Sequence, residues 1–285
     1  MTDKLIQNFN GIIPSPVDYR DYAEPIVSTA LLPDKIELPL PYPILNQEDT
    51  PYCGGAAGAG AAGAFFRDHF SMTWIYGLAK RYDGIPDLPG TYGRAVCKVM
   101  QKYGCALERY QRFPSIDINP TVFPEAAKYR LKDYTRLTTL IDMKAALARG
   151  RYLLIATFVS ADNWGWGNNG FIGEARGEFL GAHLSLLNSY DNHLDSGVYK
   201  GYFGGVNSWS KYWGYKGRYF LPYEYLKFYV PDTPMKKFIE AWSVEFAPSV
   251  NWLSHYQSLK NIKRRLWAGM SLLEGGFNYG DTPVT

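Results

Sequence analysis

Residues 53 to 66 read CGGAAGAGAAGAFF, and this stretch limits what the chain can fold into more than any other. Gly58-Ala59-Gly60-Ala61-Ala62-Gly63 spells the GxGxxG pattern of dinucleotide-binding loops. Such a loop needs a buried strand before it and a helix after it. The residues before it, NQEDTPYC, make no buried strand. Asp83 stands about 20 residues on, where a ribose-binding acid would be, but one acid near that distance is weak support. The apolar run is too short for a membrane span, which needs roughly 20 residues. A flexible linker would carry Ser or charge and would not run into Phe65-Phe66. A buried helix remains. Each interior glycine costs a helix about 1 kcal/mol against alanine. The glycines are therefore tolerable only where other backbone packs very close, at the centre of a lobe. Cys53 then opens the helix, where free N–H groups and the helix dipole favour thiolate over thiol.

Elements on either side are legible from pattern. A helix is expected over 54–70. SMTWIYGLAKRY (71–82) reads as a second, with Ser71 as its cap. TYGRAVCKVMQKYG (91–104) reads as a third, stopped by Gly104, and LIDMKAALARG (140–150) as a fourth, also ended by glycine. Strands are expected in RYLLIATFV (151–159), HLSLLNSY (183–190), GYFGGVNSW (201–209) and GRYFLPYEYL (217–226). Helices dominate the first half and strands the second, which predicts an α+β fold in two lobes. Residues 10–50, rich in Pro, Asp and Tyr, read as an extended arm laid over the core. The expected organisation is a domain over 1–246 (arm 1–50, mainly helical lobe 51–135, mainly β lobe 136–246), then a helical extension and tail over 247–285.

Charge narrows the function. Thirty basic and 27 acidic residues are well mixed and leave a net charge of +3, so no nucleic-acid footprint is expected. No signal peptide and no membrane-spanning segment is read, which predicts a cytoplasmic or assembly-associated protein. The three cysteines, Cys53, Cys97 and Cys105, form no C-x-x-C, so no metal site and no cofactor is expected. One disulfide, Cys97 to Cys105, is conceivable, and free thiols are the preferred reading. A lone Cys53 or His183 is most often a core residue, and a lone Asn207 a turn residue. His69 ends the first helix and could meet its last carbonyls; His193 lies in a polar turn.

In combination the residues say more. Gln47 stands six positions before Cys53, His183 follows it by 130 and Asn207 by 154. A thiolate can attack a carbonyl, an imidazole can take and return the proton, and an amide can fix the tautomer without adding charge. A Gln side chain and the Cys53 N–H can hold an oxyanion. The order and spacing resemble the papain-like cysteine peptidases. NSWSKYWGYKGRYFL is similar to that family's NSWG-x-x-WG-x-x-G signature. QEDTPYC, GIIPSPVDYRDY and PGTYGRAVCKVMQKYG resemble the bacterial and viral branch. The resemblance covers about residues 10–246. It implies a helical lobe and a β-barrel lobe with the active-site cleft between them. It also implies Cys53 as nucleophile, His183 as acid and base, Asn207 as its orienter and Gln47 in the oxyanion hole. Trp209 would shield the His–Asn bond, and Gly90 with Thr91 would clamp a substrate backbone.

The chain departs from the family at several positions. Gly54 replaces Trp or Thr, Pro51-Tyr52 replaces Gly-Ser, Ser210 replaces Gly, Thr91 replaces a second Gly, and Asn188 interrupts the apolar run after His183. Tyr52 is expected to narrow the oxyanion hole. No long propeptide is evident, so inhibition by one is not expected. The Gly- and Trp-rich loop 160–182 is either an ordinary long loop or a substrate wall, with Trp164 and Trp166 as substrate contacts. Two functions follow. The first is a thiol peptidase acting on peptide or protein substrates through an acyl-enzyme. The second is a papain-like module serving as a structural component of a larger assembly, such as a virus particle, with little or no turnover. In the extension, Leu253, Tyr256, Leu259, Leu266 and Met270 recur at mostly helical spacing beside Lys260, Lys263, Arg264 and Arg265. This helix would either dock on its own domain or receive a protein partner.

Overall fold

A computed structural model describes residues 11–18, 20–21, 32–160, 162, 164, 169–174, 179–229, 236 and 238–247. Trp166 and the extension 248–285 lie outside the described residues.

Helix α1, Cys53–Phe66, is buried along almost its whole length. The glycines do what the sequence demands of them. A Cβ on Gly55 would overlap the Met72 carbonyl, and one on Gly58 would stand 2.7 Å from Met100 Sδ. Helices α2 (Met72–Tyr82) and α3 (Gly93–Lys102) therefore pack directly on the α1 backbone. Helix α1 ends earlier than expected because Arg67 turns left-handed (φ 64°) and returns its N–H to Gly63 O at 3.0 Å. His69 thus lies past the helix end. Ser71 caps α2 by accepting from Trp74 N–H at 3.1 Å. Helix α3 starts later than expected, because Thr91–Tyr92 form a short strand, β3. Gly104 closes it at φ 82°, where a side chain would strike Ala126 O. A one-turn helix α4 (Phe123–Ala126) follows. Helix α5, Leu140–Ala148, is capped by Thr139 and followed by Gly150 at φ 82°.

The remaining strands are β1 (Ile12–Ile13), β2 (Lys35–Glu37), β4 (Leu131–Leu137), β5 (Tyr152–Ser160), β6 (Phe179–Asp195), β7 (Lys200–Val206), β8 (Arg218–Pro222) and β9 (Phe238–Phe246). Seven of them form one antiparallel sheet in the order β4-β9-β5-β6-β7-β8, with β2 added on β6. Among the described residues β4 and β8 are not joined, so the sheet does not close into a barrel. The 217–226 stretch divides into β8 and a 3-10 turn, Tyr223–Lys227. Strand β6 is the hub: it carries His183, and α1 packs against it through Gly60 and Leu186. The fold is α+β, with helices on the Cys53 side and the sheet on the His183 side. Among the described residues, no helix is long and apolar enough to cross a membrane.

Candidate active site

Four of the predicted residues converge where α1 meets the sheet. Cys53 is the first residue of α1 and is completely buried. Its Sγ accepts from the Leu184 N–H at 3.4 Å, which places the thiol against the main chain immediately after His183. His183 Nε2 lies 2.8 Å from Asn207 Oδ1. The same oxygen accepts from Ser208 N–H at 2.7 Å, which orients the amide with its oxygen toward the ring. An oxygen cannot donate, so Nε2 carries the proton and the neutral ring keeps its lone pair on Nδ1. Asn207 is itself held by its N–H on Gly217 O, at 2.9 Å. Trp209 covers the pair, with its ring centroid 4.8 Å from that of His183.

Gln47 is tied to the same strand connection. Its backbone N–H donates to Ser208 O at 2.8 Å, and its Oε1 accepts from Ser208 Oγ at 2.6 Å. Its Nε2 donates to Thr50 O at 2.7 Å. An oxygen used by Ser208 and a nitrogen turned toward the 50–53 turn fix which end of the amide faces Cys53's loop. The Tyr52 ring packs on Tyr76, 4.4 Å between centroids, and edge-on to Phe113, on the α2 side.

Gly90 holds φ 86° and donates its N–H to Tyr76 Oη at 3.3 Å. Lys80, which pattern reading passed over, caps the loop carrying it. Its ammonium donates to Ile85 O, Leu88 O and Gly90 O at 2.7, 2.9 and 3.0 Å. Two departures from the family pattern compensate each other. A Cβ on Gly54 would stand 3.0 Å from Val96 Cγ2 and 3.3 Å from Thr91 Cγ2. The Thr91 methyl thus fills room that a larger residue at 54 would need. Asn188, the third departure, staples the residue that follows β2, donating from Nδ2 to Leu38 O at 2.7 Å. Ser210 holds φ 72°, the left-handed region that favours glycine. Ser210→Gly is expected to raise stability by about 0.5 kcal/mol, the relief of strain exceeding the added freedom of the unfolded chain. Urea unfolding measures it.

Trp164 is buried among Trp209, Trp213 and Tyr219, and donates from Nε1 to Tyr225 Oη at 3.2 Å. It backs Trp209 and thereby the His–Asn pair. Cys97 and Cys105 are free, buried thiols. His193 pairs with Asp34 at the surface, 3.3 Å away. Among the described residues, no three of His, Cys, Asp and Glu come together in a way that could hold a metal ion.

Electrostatics differ from the expectation of a thiolate. Burial pushes the Cys53 thiol up to about 12, against the pull of the Leu184 and Gly54 N–H groups. Burial likewise takes His183 down to about 4, against the Asn207 bond that favours its charged form. Burial thus disfavours the charged form of both groups. The physical cause is a cover that pattern reading did not find. Gly11 lies directly on the sulfur: a Cβ there would overlap Cys53 Sγ and stand 2.9 Å from Pro51 O. Gly11 O accepts from Thr91 N–H at 3.2 Å, and Ile12–Ile13 run parallel to Thr91–Tyr92. The arm therefore occupies the backbone edge assigned to a substrate clamp, and helix-dipole stabilisation of a thiolate is outweighed by the loss of solvent.

No protein-family model and no curated protein sequence matches the chain. Solved structures do. Xylellain, a cysteine protease from Xylella fastidiosa, superposes with a TM-score of 0.70 at 23% identity, covering 84% of this chain and 96% of that one. Procathepsin B S9 from Trypanosoma congolense gives 0.60 at 14% identity over 86% and 88%. Digestive procathepsin L 3 from the larval midgut of Tenebrio molitor gives 0.62 at 13% over 85% and 78%. The described chain has the papain-like cysteine peptidase fold.

Proposed function

We propose that this chain is a thiol peptidase that hydrolyses peptide bonds through a Cys53 acyl-enzyme. The observation that carries the reading is the His183 Nε2–Asn207 Oδ1 bond beside a thiol that opens a buried helix. With the site open, His183 Nδ1 takes the Sγ proton and the thiolate attacks the substrate carbonyl carbon. The oxyanion receives the Cys53 N–H and the second hydrogen of Gln47 Nε2. Collapse breaks the C–N bond, and the imidazolium returns its proton to the leaving amine. Water, deprotonated by the same nitrogen, then cleaves the thioester and restores the thiol. Asn207 holds the ring through both steps, and Trp209 keeps water from the bond between them. Gly90 and Thr91 would clamp the substrate backbone, Thr91 through the N–H that Gly11 O now accepts from. Hydrolysis of a fluorogenic peptide library by the full chain tests this, and no cleavage of any member after the thiol is exposed would contradict it.

The complete burial of Cys53 favours the second reading, a papain-like module with a structural role in an assembly. Covalent labelling separates the two. A thiol that reacts with an alkylating probe in the folded chain supports the enzyme, and one that reacts only on unfolding supports the module.

The burial of these two groups has a consequence for stability. His183 binds a proton near 6.5 when unfolded and only near 4 when folded, so the unfolded state holds more protons between these values. This contribution is intact above pH 6.5 and is lost as pH falls toward 4. Cys53 runs the other way: its thiol keeps the proton to about 12 in place of 9, so stability declines as pH rises above 9. Thermal unfolding should show a plateau between these limits and a loss of roughly 1 kcal/mol near pH 5.5. His183→Gln should flatten the acidic limb, and an unchanged limb would show that other groups cause it.

A further inference from the structure

Lys80 stands in the last turn of α2, and its side chain is only 12% exposed. An ammonium has three hydrogens to give. All three go to main-chain oxygens of one loop, those of Ile85, Leu88 and Gly90, at 2.7, 2.9 and 3.0 Å. The fully buried Asp83 carboxylate stands 3.1 Å from the same nitrogen and balances its charge. Asp83 Oδ1 also accepts from the Ile85 N–H at 3.0 Å, and the Leu88 N–H donates to Ile85 O at 3.1 Å. Apolar burial contributes little between these points, because Pro86, Asp87, Leu88 and Pro89 are exposed. Bonds from a charged donor are the strong ones. Three carbonyls and a carboxylate around one positive charge are also the oxygen set that a hard cation takes. Here the charge is carried by a side chain of the helix.

We propose that the Lys80 ammonium is a built-in cation that gathers the loop 83–90, and that Lys80 is thereby the residue that positions the Gly90–Thr91 clamp. The link is one peptide unit. Gly90 O, which Lys80 holds, belongs to the same planar group as the Thr91 N–H, and in a trans unit the two point opposite ways. A cation on the oxygen therefore aims the N–H and also polarises it toward its acceptor, which is Gly11 O at 3.2 Å. The other side of Gly90 is fixed by its own N–H on Tyr76 Oη at 3.3 Å. The use of the aimed N–H, holding a substrate backbone, rests on the peptidase reading; the loop gathered by a cation does not.

Amide hydrogen exchange of the intact chain, mapped by peptides across 83–91, tests the proposal. Lys80→Met keeps the stem and removes the charge. It should speed exchange at Ile85, Leu88 and Thr91 by at least ~10-fold while β5 and β6 stay protected. Lys80→Ala leaves the oxygens in place and opens the space between them. Ammonium chloride should restore protection in that variant, and tetramethylammonium chloride at equal concentration, which has no N–H to give, should not. Asp83→Asn keeps an acceptor for the Ile85 N–H and removes the balancing charge, so it should speed exchange less. In hydrolysis of a peptide with at least two residues before the cleaved bond, Lys80→Met should raise KM by ~10-fold with kcat little changed, as for lost uniform binding. A lysine that merely supported the fold would lower the thermal midpoint with no ammonium rescue and no change in KM, and that result overturns the positioning role. Unchanged exchange across 83–91 in Lys80→Met overturns the cation-held loop. If Lys80→Met loses protection throughout the domain, Asp83→Asn decides, and unchanged exchange there overturns the proposal. Ammonium rescue in a chain that hydrolyses no peptide would support the loop and sink the peptidase reading.

Discussion

Cys53→Ala is expected to lower peptide hydrolysis by about 10⁶-fold, to the uncatalysed background, because no other group can form the acyl-enzyme. Cys97 lies within α3 and Cys105 just beyond it, both buried. The cost to stability is modest but real. The sulfur is fully buried and accepts the Leu184 N–H, so about 1 kcal/mol is lost with it. Progress curves with a fluorogenic peptide and a urea titration read the two effects separately. A variant that keeps most of its rate would place the nucleophile elsewhere.

Gln47→Ala carries the second largest expected effect, a fall in kcat of ~10²-fold with KM little changed. One oxyanion donor is removed, and that donor acts only once the carbonyl has become tetrahedral. The variant also leaves Ser208 Oγ without its acceptor, which adds about 1–3 kcal/mol of destabilisation. Steady-state kinetics on the folded fraction separates the two. A rise in KM alone would make Gln47 a residue that binds the ground state. A rate unchanged at full occupancy would leave the oxyanion to backbone groups.

Local chemistry made much of this protein legible. A glycine at every close approach of α1, Ser71 before Trp74, and Gly104 and Gly150 in left-handed turns are each decided within a few residues of chain. The proposed Cys53, His183 and Asn207 could be picked out in the sequence because the proposed chemistry needs those side chains at separated, recognisable motifs. Five strands escaped: β1, β2 and β3 are only two or three residues long, and β4 and β9 carry polar residues. Strand β4, LKDYTRL, is mostly polar, and β9, FIEAWSVEF, places Glu240 in a buried position because Ser15 and Arg136 meet it there. A carboxylate that is only acceptable once distant partners arrive gives no strand signal by itself. The Gly54–Thr91 exchange of volume and the seat of Gly11 on the sulfur are likewise contacts between remote positions. The sheet around β6 brings them together, and nothing in the adjacent sequence announces them. The same distance explains why the thiol was expected to be ionised: the helix start was visible, and its cover was not.

Active-site titration tests the central claim most directly. The chain, with a Gly11→Ala methyl group forcing apart the contact of residue 11 with Cys53 Sγ, is treated with increasing amounts of an alkylating probe, and hydrolysis is measured beside the fraction of Cys53 modified. Peptide hydrolysis should fall in direct proportion to the Cys53 adduct and reach zero at one adduct per chain, with Cys97 and Cys105 unmodified. Hydrolysis that persists when Cys53 is fully modified would contradict the account.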